Sequence, residues 1–362
     1  MSVAFADTES LDQQAAEGFA ERMMEVLNSG AIATMVSIGH RSGLFDVLKR
    51  LPPATSDRIA RDATLDERYV REWLAVMVTG RIVDYDPTKR TYALPPAHAA
   101  CLTRGAPLGN LAVYGQFVAL LGSMQDRILA CLESGEGLTY GEYPHFHELM
   151  AEDSGQTVTA QLFDSILPMV EGLEAQLEAG IDVLDAGCGR GAALVSMAER
   201  YPRSRFTGYD LGEDAIAFAT EQARVRGLAN VTFAVRDLTG YDEKERFDFV
   251  TTFDAVHDQK DPEGLITGLA GALRPGGVYL MQDIGGSAQL ENNMDFPLAA
   301  FLYAVSFTHC MPVSLGQGGA GLGTMWGWET AEAMLRSAGF ASVERKLLPH
   351  DPMNVWFVSR KA

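Results

Sequence analysis

Positive charge is scarce in this sequence. Lys and Arg together number 29 against 48 Asp and Glu, so the formal net charge is −19 at pH 7 over 362 residues. An acidic chain of this kind repels phosphate groups, and no nucleic-acid partner is therefore predicted. The hydrophobic fraction of 47% is ordinary for a globular protein, and the length suits two domains.

Cysteine is scarce as well, and the four cysteines include no CxxC pair. A disulfide framework or a structural zinc site is not expected from such spacing, and no metal site is predicted. Free thiols are typical of a reducing compartment, and the acidic, polar first residues do not resemble a secretory signal. The sequence thus predicts a cytoplasmic protein.

Long apolar runs are also lacking. Residues 105–125 carry no charge, but Gly, Pro, Asn110 and Gln116 interrupt them, so a buried helix is expected and no membrane partner. A second segment, from Phe296 to Trp328, contains no Asp, Glu, Lys or Arg and ends in a glycine-rich stretch before its last aromatics. We expect an insertion at 285–328 that forms a dimer interface or a lid over an apolar molecule.

Residues 28–105, after an extension at 1–27, have the element order of a winged helix. An apolar helix from about Ala31 is followed by a helix capped by Ser56, a longer helix capped by Asp66 that carries Tyr69 and Trp73, and a hairpin around a DPTK turn. Winged helices often bind DNA, but seven basic residues balance seven acidic ones between positions 56 and 90. This module is therefore predicted to mediate dimerisation and to form one wall of the substrate site.

Beyond a mostly helical region at 106–178, the pattern alternates strand and helix from Ile181 onward. Alternating βα units predict an α/β fold with a doubly wound, mainly parallel sheet over 179–362. The last two runs, SVERKLLP and NVWFVSR, form a hairpin-like pair that would place one antiparallel strand in this sheet.

The first strand of this region ends in the sequence DAGCGRG. Glycines between a strand and a helix let backbone amides approach a ligand, and Gly187 and Gly189 are assigned to such a site. The spacing is GxGxG instead of the GxGxxG of dinucleotide sites, and Asp185 precedes it. A carboxylate there repels a pyrophosphate and suits a cationic ligand such as S-adenosylmethionine (SAM), whose product is S-adenosylhomocysteine (SAH).

Further acids stand at the ends of the following strands. Asp210 is placed to bind ribose hydroxyls, and Asp237 is placed to accept a hydrogen bond from an adenine amino group. Leu211, Leu238 and Asp254 are assigned to the same cofactor site. Each acid alone could be a helix cap, but acids at the ends of consecutive strands favour a common site.

Together these motifs, with YDLG, RDLTG and LRPGG, resemble the class I SAM-dependent methyltransferases. With the winged helix in front, the chain is similar to small-molecule O-methyltransferases, which implies a seven-stranded Rossmann-like sheet, a homodimer and a small-molecule methyl acceptor. In that family an F-x-x-x-M-x-x-x-S segment contributes to the site, which implies that Phe146 and Met150 line the acceptor pocket and that Ser154 reaches the cofactor.

The resemblance also implies a general base. A His-Asp pair follows the fourth strand in the family, which places His257 as the base for O-methylation, with Asp283 in the position of the glutamate that orients it. Gln259 departs from the family pattern, and His257 could instead only end a strand. His309 and Trp326 are assigned to the acceptor pocket, with a hydrogen-bonded core histidine as the alternative for His309.

Three other functions stay open at this point. A SAM-sensing winged-helix transcription regulator would need a basic recognition helix. An NAD-dependent dehydrogenase conflicts with Asp185 and with the glycine spacing. A SAM-fold enzyme that does not methylate, such as a decarboxylase, is compatible with the departures around His257.

Overall fold

The computed structural model describes residues 12–106 and 109–362, and its chain divides into two compact units. The first unit ends at Ala119 and the second extends from Leu120 to Ala362. The predicted extension at 1–27 lies partly outside the described residues, and so does the segment that was predicted not to be a secretory signal. The predicted boundaries at 27/28, 105/106 and 178/179 remain predictions.

The first unit has the predicted order of helices followed by a hairpin. Its elements are α1 (Gln13–Arg41), α2 (Leu44–Arg50), α3 (Ser56–Ala63), α4 (Glu67–Thr79), β1 (Asp84–Asp86), β2 (Thr91–Ala93) and α5 (Pro96–Leu102), with α6 (Ala112–Ser123) continuing into the second unit. Trp73 is buried at the centre of this unit, in edge contact with Phe45, and its indole N–H donates to the Met35 carbonyl at 2.8 Å. The winged-helix prediction is confirmed by these elements.

Two local predictions in this unit need correction. Helix α3 is capped by Thr55, whose hydroxyl accepts from the Arg58 amide, while Ser56 donates to Glu67 at 2.6 Å. Helix α1 begins at Gln13, well before the predicted start at Ala31. Tyr69 is 81% exposed and therefore belongs to no core within this unit. Asp66 caps α4 as predicted, because its carboxylate accepts two amides of the first turn.

The second unit alternates strands and helices. Its elements after α6 are α7 (Gln125–Ser134), α8 (Phe146–Thr157), α9 (Leu173–Ala179), β3 (Asp182–Ala186), α10 (Ala192–Arg200), β4 (Arg205–Asp210), α11 (Glu213–Val225), β5 (Val231–Val235), β6 (Phe247–Phe253), α12 (Pro262–Ala272), β7 (Leu273–Ile284), α13 (Ala299–Val305), α14 (Met311–Gly316), α15 (Trp328–Ser337), β8 (Ser342–Leu348) and β9 (Asp351–Arg360). A short 3₁₀ turn, Tyr140–Glu142, lies in the predicted break between α7 and α8.

Seven strands form one sheet in the order β5-β4-β3-β6-β7-β9-β8. Strands β5, β4, β3, β6 and β7 are parallel, and β9 is antiparallel to both of its neighbours. Alternating side chains of a buried strand serve opposite faces, so Val183 and Leu184 belong to two different hydrophobic clusters. The predicted doubly wound sheet with one antiparallel strand is thus confirmed.

One helical segment of the second unit is both long and apolar. Residues Ala299–Gly316 form a helix that by length and composition alone could cross a membrane, a test that core helices of soluble proteins also pass. Its central turn, Ser306–Cys310, is a π-helix, and His309 and Cys310 there are buried. The Tyr143 hydroxyl donates to the Thr308 carbonyl at 2.8 Å, so this helix packs within the second unit. The absence of a membrane partner remains a prediction.

Candidate active site

Acidic residues stand at the carboxyl ends of five adjacent parallel strands. They are Asp237 after β5, Asp210 in β4, Asp185 in β3, Asp254 after β6 and Asp283 in β7. The carboxyl ends of parallel strands form one edge of the sheet, where ligands of open α/β folds bind. The five carboxylates therefore lie in a row along a single edge of the sheet.

The loop after β3 bends sharply at its glycines. Gly187 has φ +79°, and a Cβ added there would lie 2.5 Å from the Ala255 Cβ, so no other residue fits. The Gly189 amide donates to the Asp210 Oδ2 at 2.8 Å, while the Gly212 amide donates to Oδ1 of the same carboxylate. These two hydrogen bonds fix Asp210 against the glycine loop, where its remaining lone pairs can accept from ligand hydroxyls.

Asp185 lies beneath this loop and is only 2% exposed. Burial raises its pKa to about 7, although the Thr251 hydroxyl, which donates to Oδ1 at 2.8 Å, opposes the shift. A cationic ligand would favour the ionised form of this carboxyl group. Asp237 is exposed, and the Thr239 amide that donates to it holds its pKa below the ordinary value.

A cavity opens over these strand ends and is lined by most of the predicted residues. The predicted residues in its lining are Phe146, Met150, Ser154, Asp185, Gly187, Gly189, Asp210, Leu211, Asp237, Leu238 and Asp254. Helix α8 contributes Phe146, Met150 and Ser154, which are four residues apart and therefore share one helix face. The spacing of the F-x-x-x-M-x-x-x-S segment has this structural basis.

His257 and Asp283 form a buried pair. His257 Nδ1 lies 2.8 Å from Asp283 Oδ1, and the side chains are 3% and 0% exposed. Burial lowers the pKa of His257, but the Asp283 carboxylate and Cys310 outweigh it and raise the pKa well above the usual value. Trp326 Nε1 also donates to Asp283 Oδ1, at 2.9 Å, which fixes the carboxylate in place.

Asp254 completes this cluster from the cavity side. Its Oδ1 lies 3.7 Å from His257 Nδ1 and has no hydrogen-bond partner among the described residues. Burial raises the pKa of Asp254 to about 7 against the opposing charge of His257. Asp254, His257 and Asp283 each offer one ligand atom within 4.8 Å of the others, an arrangement that could hold a metal ion. The prediction of no metal is untested.

Four predicted residues are buried and are not among the residues that line this cavity: His257, Asp283, His309 and Trp326. Phe146, which does line the cavity, stacks on His309 with ring centroids 3.8 Å apart. Burial lowers the pKa of His309 to about 3, so its imidazole is neutral, and Nε2 has no hydrogen-bond partner in the part of the chain that is described.

Several lining residues were missed by the sequence-based assignment, notably Tyr140, His147, Arg190 and Arg236, and Asp258, the second member of the His-Asp pair, was given no role of its own. Asp258 directly follows His257, but nothing local shows that the Tyr140 hydroxyl, 118 residues earlier, donates to it at 2.5 Å. His147 lies in the FHELM segment, and its Nδ1 is 2.9 Å from Asp214 Oδ1. The FHELM motif was a usable signal for His147.

Two family models match the chain, one in each compact unit. Residues 30–104 match the Rv2258c-like winged HTH domain, and residues 177–335 match a methyltransferase domain. The chain therefore contains a winged-helix domain and a methyltransferase domain. Both the predicted resemblance and the predicted fold class are confirmed by these matches.

Known relatives support this assignment. The chain is 28% identical over 110 residues to (S)-coclaurine N-methyltransferase of Thalictrum flavum subsp. glaucum (30% of each chain), and 33% identical over 104 residues to fatty-acid O-methyltransferase of Mycolicibacterium smegmatis (29% of this chain, 37% of the relative). It thus spans about a third of the length of these curated relatives. The structure of human N-acetylserotonin methyltransferase in complex with SAM superposes with a TM-score of 0.68 at 16% identity, covering 98% of this chain and all of that one.

The residues at the sheet edge fit SAM. Gly187 and Gly189 leave the loop open to a ligand, and Asp210 is held with free lone pairs. The carboxylates of Asp185, which is buried, and of Asp254, which is half-buried, have raised pKa values and would be stabilised in their ionised form by a cation. Each cavity-lining arginine has a carboxylate neighbour, Arg190 next to Glu148 and Arg236 next to Glu243, and these carboxylates weaken the attraction of the arginines for a pyrophosphate. This donor set favours SAM over a dinucleotide.

Proposed function

We propose that this chain transfers a methyl group from SAM to an oxygen atom of a small molecule. The observation that carries the proposal is the row of carboxylates under a glycine loop, with a buried His257–Asp283 pair directly beside it. SAM supplies an electrophilic methyl group on a sulfonium. The chain supplies the positioning and the exclusion of water that such a displacement needs.

His257 is the proposed base for the acceptor hydroxyl. Asp283 accepts from Nδ1, which leaves the opposite nitrogen as the one that takes a proton. Asp283 Oδ1 also accepts from Trp326 and from the Ile284 amide, which holds the carboxylate in place and supports a hydrogen-bonded dyad with His257. Orientation by a buried carboxylate is the usual arrangement for a histidine base.

The relatives support methyl transfer to a small molecule without choosing the atom. One relative is named for N-methylation of coclaurine and the other for O-methylation of a fatty acid. The oxygen assignment here rests on the imidazole base.

We further propose that the protein is a cytoplasmic homodimer. The first half of α1 exposes Phe19 (66%), Met24 (58%) and Leu27 (69%), an apolar surface that a second copy of the chain would cover. A DNA-binding regulator is disfavoured by the balanced charges of the winged helix.

Calorimetry with SAM, SAH and NAD tests the proposal directly. We expect SAM and SAH to bind and NAD to fail. Binding of NAD alone would exclude a methyltransferase, and SAM binding without turnover of any phenol or carboxylic acid in a broad panel would favour the non-methylating alternative.

A further inference from the structure

Asp258 presents a carboxylate to the cavity that the proposed chemistry does not use. Its Oδ2 accepts from the Tyr140 hydroxyl at 2.5 Å, and its Oδ1 has no hydrogen-bond partner within the described ranges. The residue is 7% exposed, and both it and Tyr140 line the cavity. An ionised carboxylate this buried is costly unless a partner satisfies the remaining oxygen.

The charges around the cavity show what kind of partner would do so. Five carboxylates line it, and its two arginines are already paired with Glu148 and Glu243. His147 pairs with Asp214, and His257 pairs with Asp283. SAM carries a net charge of about +1 at neutral pH, because its sulfonium and ammonium outnumber its single carboxylate. The cavity thus has more acidic groups than the charge of SAM can offset, and a second cation would favour the ionised form of Asp258, whose pKa burial raises.

The aromatic groups next to Asp258 add a second chemical feature. Tyr140 lies 6.0 Å from Phe146 and 5.8 Å from His309 between ring centroids, so an apolar, aromatic wall adjoins the carboxylate. Such a wall favours a flat, partly apolar molecule, and cations are attracted to aromatic faces.

We propose that Asp258, held by Tyr140, binds the ammonium group of an aromatic amine acceptor. The proposal rests on the proposed methyltransferase function and specifies its acceptor class. The hydroxyl to be methylated would face His257, one residue away in sequence, while the amine anchors the molecule at Asp258.

The test uses the full-length protein saturated with SAH and matched probes that differ in one group. Tyramine carries an ammonium, 4-propylphenol replaces it with a methyl, and 3-(4-hydroxyphenyl)propanoate replaces it with a carboxylate; larger aryl amines with their methyl isosteres extend the set. We expect amines to bind at least about tenfold more tightly than their isosteres, because hydrogen bonds to buried charges are the strong ones.

Two substitutions locate the effect. Asp258→Asn should abolish the preference for amines while leaving SAH affinity unchanged. Asp164→Asn, which removes one exposed carboxylate outside the cavity lining, should leave the preference intact and so controls for the overall negative charge. Tyr140→Phe should weaken amine binding several-fold, because the carboxylate is no longer held.

Three results would overturn the assignment: isosteres that bind as well as amines, a set in which no amine binds, or an amine preference that survives Asp258→Asn. A tenfold loss of SAH affinity in Asp258→Asn would instead show that this carboxylate binds the methyl donor and not the acceptor. Failure of the unmodified protein to bind SAH would contradict the proposed function itself and is thereby distinguished.

Discussion

The carboxylate of Asp283 orients the imidazole of His257, with Oδ1 2.8 Å from Nδ1 across two neighbouring strands of the sheet. Asp283 is the last residue but one of β7, and His257 follows the end of β6. The pairing of the two strands thus sets the contact. The strength of this hydrogen bond helps to determine the pKa of His257 and so the pH above which its imidazole can accept a proton.

Substitution of His257 tests its role as base. His257→Ala should reduce turnover by about 10²–10⁴, the usual contribution of general base catalysis, while SAM affinity changes little. Turnover and calorimetry on one preparation check both statements. An unchanged rate would make His257 a structural residue.

Chelation separates a base from a metal ligand at the same position. Treatment with EDTA should leave turnover unchanged, since the proposed chemistry needs no metal at Asp254, His257 and Asp283. Loss of activity that zinc or manganese restores would replace the base mechanism with a metal site.

Asp283 should control the pH dependence of turnover. Since its carboxylate raises the pKa of His257, the rate should rise with increasing pH as the imidazole loses its proton. Asp283→Asn should move this rise to lower pH and reduce the maximal rate. Trp326→Phe removes a donor to the same carboxylate, so the rise should move slightly to higher pH. Shifts of equal sign in both variants would contradict the dyad.

Asp185 should make SAM binding depend on pH. With a pKa of about 7, its carboxyl group ionises over the neutral range, so the affinity for the cationic ligand should increase as pH rises through about 7. Asp185→Asn should flatten this dependence. Thr251→Val, which removes the hydroxyl that opposes the shift, should move it to higher pH. Calorimetric titrations at several pH values provide the measurement.

The same raised pKa has the opposite effect on the stability of the ligand-free protein. Between the unfolded pKa of about 4 and the folded value of about 7, the folded state holds a proton on Asp185 that the unfolded state has lost. The contribution of Asp185 to the free energy of unfolding therefore decreases as pH rises across this window. Urea unfolding at several pH values gives the free energy of unfolding as a function of pH. Between about pH 4 and 7 this free energy should fall less steeply with pH in Asp185→Asn than in the unmodified protein.

Gly187→Ala should destabilise the second unit through both backbone and contact. The left-handed φ costs about 1–2 kcal/mol for an alanine, and the approach to Ala255 adds about 1–3 kcal/mol. Gly227→Ala is the matched control, because its φ is +68° and no atom lies within 4 Å of the added Cβ. Denaturant unfolding should show a clearly larger loss at Gly187, and Ala255→Gly should recover part of it.

The apolar surface of α1 should hold two copies of the chain together. Phe19→Glu with Leu27→Glu should convert a dimer into a monomer in light scattering, because both side chains are more than half exposed in the single chain. Exposed Leu129→Glu, outside α1, is the control and should leave the mass unchanged. A monomeric unmodified protein would contradict the homodimer.

The sequence predicted the features that local patterns encode. Apolar strands that end at or are followed by Asp185, Asp210 and Asp237 can be recognised from a few consecutive residues each. The parallel sheet then brings the ends of these strands together. Contacts between distant segments carry no such signal, which is why Tyr140 was missed as the partner of Asp258. The burial of a single side chain is not encoded locally either, since His257 precedes the cavity-lining Asp258 yet is itself buried and not among the lining residues.

The strand order β5-β4-β3-β6-β7 places the acids of the sheet edge at regular intervals. Neighbouring strands are ~4.8 Å apart, so each step along the edge advances by one acid, from Asp237 to Asp283. Substitutions of the acids at the ends of β5, β4 and β3 and of Asp254 should alter affinity for the methyl donor, whereas changes at Asp258 should alter the choice of acceptor. Acceptor preference can therefore diverge in this fold, by mutation or by engineering, while the donor end stays as it is.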